Sequence, residues 1–145
     1  MGSDKQPSPV TVLAVDDEPA NLELLERVFR SRSEWKFLSA SCGERGLDIV
    51  RDNGVDVFLV DYSMPTMNGI EFIEKAKAIA PTAIAIMITG YGELDAVVLA
   101  LNRGLIHHIV AKPWRIDDLV GAVRRALTVK NLRETVERLR DRTTR

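Results

Sequence analysis

VDVFLVDYSMP, Val55 to Pro65, is the stretch on which the fold of this chain turns. A short apolar run, Val55 to Val60, ends in a single carboxylate, Asp61. Brevity and β-branched content favour a buried strand over a helix. An ionisable group at the last position of such a strand stands where the strand leaves the sheet. In open α/β sheets that rim is where ligands bind.

Other apolar runs on either side end in the same way. VTVLAV, Val10 to Val15, is followed by Asp16, Asp17, Glu18 and Pro19, and the proline suits the first turn of a helix. Leu22, Leu24, Leu25, Val28 and Phe29 give that helix one apolar face to about Arg30. Trp35 to Ala40 reads as a second strand, and Gly43 opens a helix carrying Leu47, Ile49 and Val50, with Asn53-Gly54 as a turn. After the central strand, Asn68-Gly69 starts a helix with Ile70, Phe72, Ile73, Ala76 and Ile79 facing inward, ended by Pro81. Ile84 to Ile88 ends in Thr89-Gly90. A fourth helix runs from about Glu93 to Arg103, stopped by Gly104. Ile106 to Ala111 ends in Lys112-Pro113, and a last helix starts near Arg115. Strand and helix alternate five times, which predicts an α/β fold with a parallel sheet and helices on both faces. Continuous apolar strands agree, because parallel strands are covered on both sides.

Bulk properties narrow the function. Acidic and basic residues nearly cancel, 21 against 20, so net charge points to neither nucleic acid nor membrane. One cysteine, Cys42, excludes an internal disulfide framework and suits a reducing compartment. No apolar run approaches the roughly 20 residues a membrane span needs. Residues 1–9 are polar, lack the apolar segment of a signal peptide, and read as a disordered lead-in or tag remnant.

All strands of a parallel sheet point one way, so Asp16, Asp17, Asp61, Thr89 and Lys112 gather at one edge. Carboxylates held close together repel unless a cation joins them. Hard oxygen donors suit Mg2+, which keeps waters and shares a phosphate oxygen. A lysine and a hydroxyl beside the metal complete a phosphate-binding set. No Walker loop or G-x-G-x-x-G is present. Asp61 is then a candidate nucleophile, since aspartate can form an acyl phosphate.

These residues, in this order, resemble the receiver domain of two-component response regulators: Asp16-Asp17, Asp61-Tyr62-Ser63-Met64-Pro65, Asn68-Gly69, Thr89-Gly90 and Lys112-Pro113. The resemblance covers about Val10 to Leu127. It implies a flavodoxin-like, doubly wound five-stranded parallel sheet of order 2-1-3-4-5 in a cytoplasmic protein. It also implies roles. Asp61 would accept phosphate from a histidine kinase. Asp17, Asp61 and the Ser63 carbonyl would ligate Mg2+ directly, and Asp16 through water. Lys112 and the Gly90 backbone would contact the phosphoryl group. Thr89 would hydrogen-bond it and report phosphorylation by moving. Lys112-Pro113 would be cis. Ser63 and Tyr91 look like the pair that tunes dephosphorylation. The family's usual aromatic switch position, three before the lysine, holds Ile109 here, a departure from the family's pattern. Lys112-Pro113-Trp114 resembles a subgroup often joined to phosphodiesterase or ATPase-type transcription modules.

Plainer readings exist for several residues. Asp16, Asp17 and Glu18 suit a helix N-terminus, but that leaves Asp61 and Lys112 unaccounted for. His107 and His108 should face opposite sides of a strand and lack metal spacing. Trp35 and Trp114 read as packing residues, and Cys42 as inert.

In the last helix Ile116, Leu119, Val120, Val123 and Leu127 form the sheet-facing stripe. Beyond it Val129, Leu132, Val136 and Leu139 follow heptad spacing, with Glu134 and Arg138 an i, i+4 pair. Residues 128–145 therefore read as an extended helix, a coiled-coil dimer seam or a linker to an output domain absent from this chain. A solvated tail is the other reading. The basic end, Arg140, Arg142 and Arg145, is too short to imply nucleic-acid binding.

Three functions compete. The first is a phosphorylation-dependent switch, not an enzyme beyond its own phosphotransfer and dephosphorylation. The second is an Asp-nucleophile, Mg-dependent phosphatase of the haloacid-dehalogenase type; its nucleophile belongs after strand one in an Asp-x-Asp-x-Thr pattern, which Asp16-Asp17-Glu18-Pro19 does not fit. The third is a phosphate-independent binding module of the same fold.

Overall fold

The structure, a computed structural model, describes residues 10–32 and 34–143; the expected lead-in, residues 1–9, and Arg145 lie outside them. The elements follow in order: β1 (Val10–Val15), α1 (Pro19–Arg30), β2 (Trp35–Ala40), α2 (Gly43–Asp52), β3 (Val57–Asp61), α3 (Gly69–Ile79), β4 (Ile84–Thr89), a 3-10 turn (Tyr91–Glu93), α4 (Leu94–Asn102), β5 (His108–Ala111) and α5 (Ile116–Thr143). The five strands form one sheet of order β2-β1-β3-β4-β5, every pairing parallel. This is the flavodoxin-like architecture expected.

Every residue of β3 and β4 is buried, as a sheet covered on both faces requires. Leu13, Phe58, Val60 and Met87 point to a core shared with α2, α3 and α4, in which Phe58 meets Phe72 edge-on at 5.8 Å. Val12, Leu59, Ile86 and Val110 point the other way, to α1 and α5, where Phe29 stacks on Phe37 at 5.5 Å. Local signals fall where the sequence puts them. Pro19 opens α1. Asn68 and Glu71 form a reciprocal capping box at α3. Gly104 takes a φ of +78° after α4, a conformation glycine adopts without strain.

Several expectations need correction. β3 starts at Val57, because Asp56 turns its carboxylate back to accept from the Thr11 N–H at 2.8 Å. β5 starts at His108; Ile106 packs in the core ahead of the ladder. The fourth helix does run as expected, over Leu94–Asn102 with Glu93 and Arg103 as its caps, and a 3-10 turn, Tyr91–Glu93, precedes it. Leu24, Ile79 and Ile116 are exposed. Leu24 lies about 100° round the helix from Leu25, while Ile79 and Ile116 occupy helix ends beyond the sheet. Glu134 pairs with Lys130 at 2.9 Å, and Arg138 turns to Thr135. His108 pairs with Ile86 and is reached by Arg125 of α5, while His107, just ahead of β5, is reached by Arg133 and feels the charge of Lys77 on α3.

The His107 contact has a pH consequence. Burial first, then the charges of Arg133 and Lys77, lower its pKa from 6.5 to about 4. The unfolded chain therefore binds more protons between those values. This stability is present above pH 6.5 and is lost as pH falls towards 4. Because the ring is partly exposed, the contribution is on the order of 1–2 kcal/mol. Urea titrations at pH 7 and 4.5 should show a smaller loss on acidification in His107→Gln than in the wild type.

The sequence did not point to the anchor of α5. Lys130, nearly buried, sits 3.1 Å from Asp56 and 2.9 Å from Glu134. Past it α5 leaves the sheet, and Leu132, Val136 and Leu139 are exposed. No helix among the described residues is long and apolar enough to cross a membrane.

Candidate functional site

The C-terminal ends of β1, β3, β4 and β5 meet at one rim, and the expected residues converge there. Asp16 and Asp61 are 3% exposed and Thr89 is 2% exposed. Asp17 stands at the surface. Asp16, Asp17 and Asp61 each offer a carboxylate oxygen, all within 4.8 Å of one another. Lys112 extends over the same spot, its Nζ 2.9 Å from Asp61 Oδ1. The Lys112-Pro113 bond is cis, and the Lys112 N–H donates to the Thr89 carbonyl at 2.8 Å.

Electrostatics follow from burial. Desolvation raises the Asp61 pKa, and Asp17 adds to it, against the opposing pull of Lys112 and the Ser63 N–H. Asp16 is raised by the same desolvation and by Asp61, against donors from Glu18 and Asn21. Burial would depress Lys112, yet its contact with Asp61 and the nearby Asp16 and Glu93 hold it above its ordinary value. Two buried carboxyls that are costly to ionise, beside a third at the surface, form a hard oxygen set that a divalent cation would relieve. The residues present therefore fit Mg2+.

Three neighbours were not legible as site residues. Asn21, on the first turn of α1, donates to Asp16 Oδ2 at 3.1 Å; its position five residues after Asp16 is the one available signal. Glu93 accepts from Thr89 Oγ1 at 3.3 Å, through a turn that the sequence does not announce. Gly69 lies against the backbone of β3. A Cβ there would stand 2.6 Å from the Asp61 carbonyl oxygen and 2.9 Å from Tyr62 Cα. Since both are backbone atoms, Gly69→Ala should cost about 1–3 kcal/mol in urea unfolding and displace Asp61.

Of the remaining expected residues, Ser63 follows Asp61 and turns its N–H to it. Gly90 accepts the Thr89 hydroxyl through its carbonyl at 3.1 Å. Tyr91 is 86% exposed, and Ile109 packs on the α4-side core.

Residues 12–124 match the response regulator receiver domain. The chain belongs to the response regulator receiver family. This receiver is 36% identical over 120 residues to Sporulation initiation phosphotransferase F of Bacillus subtilis, covering 83% of this chain and 95% of that protein. It is 31% identical over 137 residues to the Hydrogenase transcriptional regulatory protein HoxA of Cupriavidus necator, covering 94% of this chain but 27% of that protein. The receiver thus spans about a quarter of the length of the HoxA relatives it matches. Among solved structures, a response regulator receiver domain protein from Clostridium thermocellum superposes with a TM-score of 0.79 at 30% identity, over 85% of this chain and 98% of that one.

Proposed function

We infer that this receiver stores a phosphoryl group on Asp61, taken from the phosphohistidine of a histidine kinase. The observation that carries this is the Lys112 ammonium 2.9 Å from a buried Asp61 flanked by Asp16 and Asp17. An Asp61 oxygen attacks phosphorus, the P–N bond breaks, and the departing imidazole keeps the electron pair. Lys112 steadies the transferring oxygens, and the Gly90 backbone and Thr89 hydroxyl hydrogen-bond them. Asp17, Asp61 and the Ser63 carbonyl would hold Mg2+, with Asp16 holding it through water; when bound, the ion offsets charge on the phosphoryl oxygens. Ser63 and Tyr91 tune the lifetime of the acyl phosphate. Because position 109 is Ile and not aromatic, the response passes through Thr89 and the turn leading to α4.

The test is incubation with acetyl phosphate and Mg2+. One equivalent of label on Asp61 is the expected result. Many turnovers would favour a phosphatase, and no label a phosphate-independent module.

Residues 10–127 act as the receiver and α5 beyond residue 127 as a helical linker, in a cytoplasmic protein. Direct nucleic-acid contact is not assigned to the receiver. Leu132, Val136 and Leu139 form the seam of a parallel coiled-coil homodimer begun by α5. Sedimentation equilibrium at high micromolar concentration should give a dimer, and a monomer with and without a phosphoryl analogue would overturn that part.

A further inference from the structure

The Thr89 hydroxyl carries a single hydrogen, and two acceptors already compete for it: the Gly90 carbonyl at 3.1 Å and Glu93 Oε2 at 3.3 Å. Glu93 is the last residue of the 3-10 turn that joins β4 to α4. It is partly buried, and its charge reaches Lys112. One carboxylate therefore acts on both groups that a phosphoryl group on Asp61 would need. It offers the threonine a charged acceptor, and it attracts the lysine.

We propose that Glu93 is a positioning residue that acts as a built-in competitor of the phosphoryl group, holding Thr89 and biasing Lys112 towards the resting arrangement until phosphorylation displaces it. This rests on the reading of Asp61 as the phosphoacceptor. When a phosphoryl oxygen takes the Thr89 hydrogen, Glu93 loses its partner on the sheet. Like charge then pushes the carboxylate away from the site, so the turn and the start of α4 lose their side-chain tie to β4. The resting state is thereby favoured by a contact that exists only without phosphate, which is the requirement for a two-state switch.

Glu93→Gln keeps the size of the side chain and replaces a charged acceptor by a neutral one, which is the weaker competitor. Beryllofluoride with Mg2+ serves as the phosphoryl probe, titrated calorimetrically against the full chain. Glu93→Gln should bind it about three- to tenfold more tightly than the wild type. In a Thr89→Val background the same substitution should give a smaller gain, because the competed-for hydrogen is gone and only the pull on Lys112 remains. A purely structural role of Glu93 in the α4 turn would give the same change in both backgrounds. Equal or weaker binding by Glu93→Gln, or a gain undiminished in Thr89→Val, overturns the proposal. If the wild type binds beryllofluoride while Glu93→Gln leaves its affinity unchanged, only the role of Glu93 fails. If the wild type binds none, the reading of Asp61 fails and takes this one with it.

Discussion

Asp61→Asn should lose acetyl-phosphate labelling altogether, by at least about a thousandfold, because a carboxamide is not a nucleophile towards phosphorus. The same substitution should stabilise the metal-free protein at neutral pH. Burial raises the Asp61 pKa above its unfolded value of 3.8. Between those two values the folded state binds more protons than the unfolded chain. The contribution of Asp61 is thus most favourable at low pH and is lost as pH rises through the folded pKa. An asparagine, which never ionises, escapes that loss, and Lys112 is open enough to water to tolerate losing its partner. Urea midpoints should therefore favour Asp61→Asn at pH 7, with the gap narrowing towards pH 4. A mutant that is inactive and no more stable than the wild type at pH 7 would contradict the assigned burial cost. Gaining stability by removing a functional group is the usual sign of a site held under electrostatic tension.

Phe72→Ala should give the largest loss of stability, about 3–5 kcal/mol. Phe72 is fully buried, meets Phe58 edge-on, and presses its ring against Gly46, where a Cβ would come within 2.7 Å. Neighbours on β3 and α2 cannot collapse into the space without moving the sheet. Against a total of about 5–15 kcal/mol for a typical domain, this is a large share. Chemical denaturation monitored by circular dichroism would check it. A cost under about 1 kcal/mol would mean that the α3-side core repacks freely.

How much of this was readable beforehand depends on where the information lies. Asp17, Asp61, Thr89 and Lys112 were legible because each follows an apolar run, and parallel strands bring their C-terminal ends to one rim. The helix start at Asn68-Gly69 and the stop at Gly104 were legible because they are local. What escaped detection depends on contacts between distant segments. Lys130 looks like any helix-surface lysine until α5 docks and brings it to Asp56, 74 positions earlier in the chain. Glu93 looks solvated until a 3-10 turn folds it back onto Thr89. Gly69 reads as a helix start, and only the assembled fold shows its Cα seated on the β3 backbone. Leu24 and Ile116 failed in the opposite direction: hydrophobicity alone placed them inward, whereas helix phase and the height of the sheet leave them outside.

The length of α5 bears on how a signal could leave the domain. Its 28 residues begin at the rim where Asp61 stands and run down past the opposite end of the sheet, a rod of about 42 Å. Lys130 bolts it to the base at Asp56, leaving about 20 Å beyond that bolt. A tilt of about 5° about that bolt would move the rim end and the far end by about 2 Å each, in opposite directions, so a small rearrangement at the rim reappears at the far end of the helix.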